Sequence, residues 1–267
     1  MSNPWVRLGM STGRDIDRGL QVATELGIHV VELACQHRNQ WPSRLSTSAR
    51  NTVRAEAQAR GIELVVHSDS AVNVAEPHGE IRAGVKQHLT EYVRLSVDVG
   101  ATRLVVHGGL HFDSSERATV LEAAVDTLTA TAHTAHNAGV TMVLENMNVL
   151  HSEIDFFGTT AADIIDILDA VGSPALRACA DLGHAHLLPG GVAAFVAAVA
   201  HRIDYVQLTD NDGLVDHHLP LGGGTIDLTT VVAALESIGF TGPVIAELDD
   251  EQDRRVSITA MRAAFSS

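Results

Sequence analysis

Apolar residues fall along this chain in two alternating rhythms. Short runs rich in Val, Leu and Ile recur at 6–10, 28–34, 62–67, 102–107, 140–145, 175–181, 203–208 and 243–247. Several are continuous apolar stretches, the pattern of parallel strands covered on both faces. Between them, helices are predicted at about 14–26, 47–60, 80–99, 115–138, 160–171, 192–200 and 227–238, with a last one at about 252–265. Gly27, Gly61, Gly100, Gly139, Gly172 and Gly239 each close a helical stretch just before a strand. Glycine takes the left-handed conformation that stops a helix. Most of these glycines are roughly 30–40 residues apart, the length of one βα unit. The gap from Gly172 to Gly239 holds two units, and the first of their helices ends near His201. Eight strands alternating with eight helices predict an α/β fold, a (β/α)8 TIM barrel that takes 1–267 as a single domain. An open doubly wound sheet is the alternative.

In such a barrel the chemistry sits at the C-terminal ends of the strands. Glu32 stands near the end of the second predicted strand, His67, His107, Glu145 and Asp181 end the next four, Gln207 stands near the end of the seventh, and Glu247 ends the last. A lone histidine after a strand is commonly a hydrogen-bonded structural residue. Seven polar or ionisable residues at seven consecutive strand ends converge on one mouth. The loops add His184, one turn beyond Asp181, and the pair Asp216 and His218, which can chelate one ion together. The Gly222–Gly224 run lacks the lysine and spacing of a phosphate loop.

Charge arithmetic then favours a metal. Glu145, Asp181 and Glu247 at one mouth repel as three anions, so without a cation at least one should be protonated with a raised pKa. Oxygen ligands, including the Gln207 carbonyl, suit Mn2+ or Mg2+. His67, His107, His184 and His218 extend the set toward Zn2+.

The whole-chain composition narrows the partners. Eighteen Lys and Arg against 33 Asp and Glu give a formal charge of −15. A chain this acidic repels polyanions, so nucleic acid is an unlikely partner without a strong local exception. Arg38 and Arg44 flank Trp41 but are too few to hold a duplex. Two cysteines, Cys35 and Cys179, and no CxxC fit a reducing, cytoplasmic setting. Cys179 lies two residues before Asp181 and reads as packing one layer deeper. No signal pattern and no long apolar run predict a membrane segment. Lys86 is the only lysine and falls in a helical stretch, which weighs against Schiff-base chemistry. No interface for a homo-oligomer can be picked out.

The chain resembles the xylose isomerase-like TIM barrel superfamily, which includes sugar isomerases and epimerases, hydroxypyruvate isomerase, inosose dehydratase and endonuclease IV. The resemblance covers roughly 28–250. It rests on His67 with Asn73-Val74-Ala75, Val105-Val106-His107-Gly108-Gly109, Leu144-Glu145-Asn146, Asp181 with His184, Gln207 with Asp210, Asp216-His217-His218, and Ala246-Glu247. In single-metal members, the resemblance implies a cation held by Glu145, Asp181, Gln207 and Glu247. In endonuclease IV, the positions matching His67, His107, His184, Asp216 and His218 also bind zinc. Gln207 departs from that pattern, because endonuclease IV has histidine there.

The resulting expectation is a metal-dependent isomerase or epimerase of a small sugar, polyol or hydroxy-carbonyl compound. It would work through an enediolate, with Glu145 and Glu247 as acid and base and His184 on a substrate oxygen. Glu32 is expected to support the ligands, and Trp41, Phe112, Phe156 and Phe157 to wall the pocket. A zinc phosphodiester hydrolase at abasic DNA, a keto-polyol dehydratase or lyase, and a metabolite-binding barrel without catalysis are the alternatives.

Overall fold

A computed structural model describes residues 5–111, 116–149 and 155–266. In chain order its elements are β1 (Arg7–Ser11), α1 (Ile16–Leu26), β2 (Val30–Leu33), α2 (Thr47–Ala59), β3 (Glu63–His67), α3 (Gly79–Val99), β4 (Arg103–Val106), β5 (Leu110–His111), α4 (Arg117–Ala138), β6 (Thr141–Glu145), β7 (Asp155–Phe156), α5 (Ala161–Val171), β8 (Leu176–Asp181), α6 (Leu182–His186), α7 (Gly191–Val199), β9 (Ile203–Leu208), α8 (Leu228–Ser237), β10 (Pro243–Ala246) and α9 (Glu251–Phe265). Eight parallel strands close a barrel in the order β1-β10-β9-β8-β6-β4-β3-β2. This is the predicted (β/α)8 architecture.

The six helix-ending glycines all have positive φ, from 60° at Gly27 to 77° at Gly100. Acceptor side chains start many helices: Asp15, Ser46, Thr160, Asp181, Asp227 and Asp250 each accept a backbone N–H of the first turn. Two features depart from the expected pattern. Asp181 caps α6 by accepting the His184 N–H at 2.7 Å, so the chain after β8 is a short helix rather than a plain loop. The loops after β4 and β6 meet in the antiparallel β5–β7 pair.

Inside the barrel, residues two apart on each strand form layers. Gly9, Val30, Val65, Val105, Val143, Cys179, Tyr205 and Ile245 occupy one layer, and the seven larger ones form a buried apolar cluster of their own. Gly9 has no room for a side chain: a Cβ would sit 2.2 Å from Ile245 Cδ1, which can turn aside, and 2.8 Å from the Val30 carbonyl oxygen, which is backbone and cannot. Two residues further along each strand come Ser11, Glu32, His67, His107, Glu145, Asp181, Gln207 and Glu247, every one of them buried. At the opposite end, Arg103 joins Glu63 and Asp204, both at 2.6 Å, and Arg7 also pairs with Glu63. The outer core packs the helices on the strands and contains Cys35.

Candidate metal centre

The polar layer at the mouth is the ring expected from the strand ends, completed by Ser11 from β1. Ser11 Oγ donates to the Leu248 carbonyl at 2.7 Å and receives the Leu248 N–H at 3.0 Å, which ties the first strand to the chain leaving the last. Serine at a strand end carries no distinguishing signal, and the predicted first strand stopped one residue short of it.

Glu145 stands at the centre of the ring. Its Oε2 lies 3.0 Å from His67 Nε2 and 3.4 Å from His107 Nε2, and its Oε1 lies 3.5 Å from His184 Nδ1. Burial alone would raise this carboxyl, but hydrogen bonds from His107 and His67 outweigh it and hold the group well below the usual carboxylate range. Glu247 reaches the same His67 Nε2, at 3.5 Å. Its proton affinity goes the other way: burial, then the charges of Glu32 and Glu145, push it well above the usual range. Asp181 is raised by burial and by Glu145, although His184 opposes the shift. The three acids therefore differ in proton affinity, as their crowding requires.

His184 is fixed at both ring nitrogens. Nδ1 lies 2.8 Å from the Asn146 carbonyl and Nε2 lies 3.1 Å from Asp216 Oδ2. Burial would lower it, but Asp181 and Asp216 raise it to about 10. His218 Nε2 also lies 3.1 Å from Asp216 Oδ2. Asn146 bridges neighbouring strands by bonding the Asp181 backbone in both directions, at 2.8 and 3.0 Å. The loop carrying Asp216 and His218 is anchored by Asp210. Its carboxylate accepts backbone N–H groups from Asn211, Gly222, Gly224 and Ile226, all at 2.9 or 3.0 Å. The glycine run thus wraps an aspartate of its own chain.

Gln207 lies in the ring, and both ends of its amide are engaged. Oε1 accepts from the Cys179 thiol at 2.9 Å, and Nε2 donates to Glu32 Oε2 at 3.1 Å. Tyr205 OH donates to the same Glu32 oxygen at 2.9 Å. Glu32 is raised to about 7, by burial first, with His67 and Tyr205 opposing. Within the ring it accepts from both Tyr205 and Gln207. Cys179 packs in the layer below, as its spacing from Asp181 indicated, and burial pushes both it and Cys35 up, the latter to about 12. Phe157 packs into the outer core, while Trp41 is half-buried and donates to the Gln36 carbonyl at 3.2 Å. Phe112 lies outside the described residues.

These side chains fit a divalent cation. Four groups bring three potential ligand atoms within 4.8 Å of one another: His67, His107 and Glu145; Glu145, Asp181 and His184; His184, Asp216 and His218; and Glu32, His67 and Glu247. Oxygens of Glu32, Asp181, Asp216 and Glu247 are buried with no hydrogen-bond partner. Orphaned buried carboxylate oxygens are costly, and a bound cation satisfies them.

A closed parallel barrel with a ring of metal-competent side chains at its mouth defines the class. The chain belongs to the xylose isomerase-like TIM barrel family, whose sequence signature matches residues 20–264. A Mycobacterium leprae protein named Probable endonuclease 4 is 27% identical over 258 residues, covering 92% of this chain and 95% of its own. The chain is similar in fold to a D-tagatose 3-epimerase-like protein, with a TM-score of 0.87, 23% identity and 97% of each chain covered. It is also similar to the D-psicose 3-epimerase of Clostridium cellulolyticum H10, with a TM-score of 0.77, 18% identity, and 97% of this chain and 96% of that one covered. No helix among the described residues is long and apolar enough to cross a membrane.

Proposed function

We propose that this protein is a divalent-metal-dependent isomerase or epimerase of a small sugar, polyol or hydroxy-carbonyl compound, with Glu145 and Glu247 as its acid–base pair. The placement of those two carboxyls carries the reading. They leave strands three places apart in the barrel order, both are buried, and both reach Nε2 of His67. Their proton affinities are driven in opposite directions by their surroundings. Two buried carboxyls on different strands, held at different proton affinities, are what hydrogen exchange on two faces of a carbon requires. The likeness in fold to sugar 3-epimerases supports the same class.

Glu145, Asp181, Gln207 and Glu247 would hold the cation, with His184 beside them. When bound, Mn2+ or Mg2+ supplies Lewis acidity to a substrate carbonyl and the adjacent hydroxyl. Glu145 would take the proton from the carbon that bears that hydroxyl, and Glu247 would return one to the opposite face of the same carbon. His184, cationic and steadied by Asn146 and Asp216, holds a substrate oxygen. The test is hydrogen exchange into small ketoses in D2O, followed by NMR with the metal-loaded protein. Exchange that disappears in Glu145→Gln supports the assignment, and exchange that persists at the same rate removes it. A dehydratase would differ by releasing an unsaturated or deoxy product.

A second reading, zinc-dependent hydrolysis at abasic DNA, is favoured by the two histidine-rich clusters, His67 with His107 and Glu145, and His184 with Asp216 and His218. The formal charge of −15 and the glutamine at 207 oppose it. Zinc-dependent cutting of an abasic duplex, with no exchange into any ketose, would replace the first reading.

A further inference from the structure

We propose that a recess beside the mouth binds a phosphate monoester carried by the substrate. The inference rests on the isomerase or epimerase reading and names its substrate class. The recess has a volume of about 570 Å3 and is lined by Arg14, His37, Arg38, Asn39 and Arg44. His37 also lines the neighbouring concavity of about 350 Å3, which contains Ser11, His218 and Glu247 of the mouth. The recess and the concavity share His37, and the concavity, which Asp249, Asp250 and Asp253 also line, runs on to Glu247.

The charge state of its arginines sets the recess apart. The chain has 18 Lys and Arg and nearly twice as many acids, so a cation without a partner is not the default. Elsewhere the cations donate to carboxylates or carbonyls: Arg50 to Asp98, Lys86 to Asp126, Arg117 to Asp163, Arg202 to Asp169, and Arg54, Arg177, Arg254 and Arg262 to backbone oxygens. Only Arg38 and Arg44, among the described residues, make no side-chain hydrogen bond or ion pair. Both are exposed and line the same recess. Arg14, brought in from the loop after β1, shares Asp249 with His37, at 2.8 and 2.7 Å. Asp249 thus accounts for Arg14 and leaves the charges of Arg38 and Arg44 uncompensated.

A guanidinium presents a planar fork of donors that matches phosphate oxygens. Two uncompensated guanidiniums balance the two negative charges of a phosphate monoester, whereas a carboxylate would leave one unbalanced. The number of arginines is also too small to follow a nucleic-acid backbone over several phosphates.

The test is calorimetry on the metal-loaded protein and on Arg38→Gln/Arg44→Gln, with inorganic phosphate as the probe. Phosphate affinity is expected to fall about tenfold for each guanidinium removed, and to stay unchanged in Arg94→Gln, which alters a paired arginine on the outer helix. Undiminished affinity in the double variant would mean that the metal centre alone holds phosphate, and would overturn the proposal. In parallel, ketose phosphates are expected to exchange hydrogen with kcat/KM at least about tenfold above neutral ketoses and keto-acids, a preference that collapses in the double variant. Equal turnover of neutral ketoses or keto-acids overturns it, as does an abasic duplex that competes for inorganic phosphate when ketose phosphates do not. Failure of every ketose to exchange, with phosphate binding still lost in the double variant, removes the epimerase reading and leaves the anion site standing.

Discussion

Metal loading should release protons from this protein, and their number follows from the ring's electrostatics. In the metal-free state, Glu247 and Asp181 hold protons more tightly than ordinary carboxyls because of burial and neighbouring acids. His184, raised to about 10, carries a proton at neutral pH. A cation needs carboxylates and neutral imidazoles as ligands. Binding at pH 7 should therefore release roughly one to two protons, from Glu247 first and then Asp181, while His184, beside the ligands, keeps its own. Calorimetry in two buffers of different ionisation enthalpy counts them. An ion at a hundred times its Kd stabilises the fold by about 2.7 kcal/mol, which for a chain of this size raises Tm by about 5–10 °C. The pH dependence has a defined sign. Glu247 is raised on folding, so its contribution is fully present below the unfolded value near 4.5 and is lost as pH rises through the folded value. Glu145 is lowered, so its contribution is present above the unfolded value and lost as pH falls. Metal replaces the proton on Glu247, so the gap in Tm between loaded and metal-free protein should widen from about pH 5 to pH 8. No proton release with saturating Mn2+, Mg2+ or Zn2+, or a gap that narrows as pH rises, would refute the reasoning.

Four further outcomes are expected. Glu145→Gln should lower turnover by about a thousandfold or more, with circular dichroism unchanged. Asp210→Ala removes the acceptor of four backbone N–H groups, so urea unfolding should show a loss of about 2–4 kcal/mol. Metal stoichiometry should fall with it, because Asp216 and His218 lose their anchor. Gly9→Ala places a methyl 2.8 Å from the Val30 carbonyl oxygen as well as against Ile245 Cδ1 and should cost about 1–3 kcal/mol; unchanged stability would contradict the packing of the barrel interior. Cys179, buried and with its thiol pushed up, should resist a thiol reagent until denaturant unfolds the chain.

The barrel and most of the ring were legible because both are periodic. A strand buried on two faces is a continuous apolar run, and the side chain two residues beyond an interior valine must face the same lumen. Val65 and His67, Val105 and His107, and Val143 and Glu145 are instances. What sequence could not supply is contact between distant segments. The bond from Tyr205 OH to Glu32 crosses 173 residues of chain, and neither residue type announces the other. The orientation of the Gln207 amide depends on that same pair and on Cys179. Arg38 and Arg44 were visible beside Trp41, but Arg14 and Asp249 belong to other loops, so the shared recess appears only in three dimensions. The α6 helix was missed because five residues are too few for a periodic signal, and its formation depends on a cap from the last residue of β8.

The two ends of the barrel separate stability from chemistry. At the floor, Arg7 and Arg103 meet Glu63 and Asp204, so each charge has a counter-charge from the same chain. At the mouth, Glu32, Glu145, Asp181 and Glu247 are gathered with no lysine or arginine among their partners. Histidines compensate them in part, and oxygens on three of the four are left unpaired. The chain has cations to place, and it leaves two of them without partners in the recess that shares His37 with the concavity reaching Glu247. If the mouth served stability alone, pairing those arginines with the acids would lower the energy, as the floor does. Their separation instead leaves one region short of a small cation and its neighbour short of an anion, the two charges that a metal ion and a phosphorylated substrate would bring together.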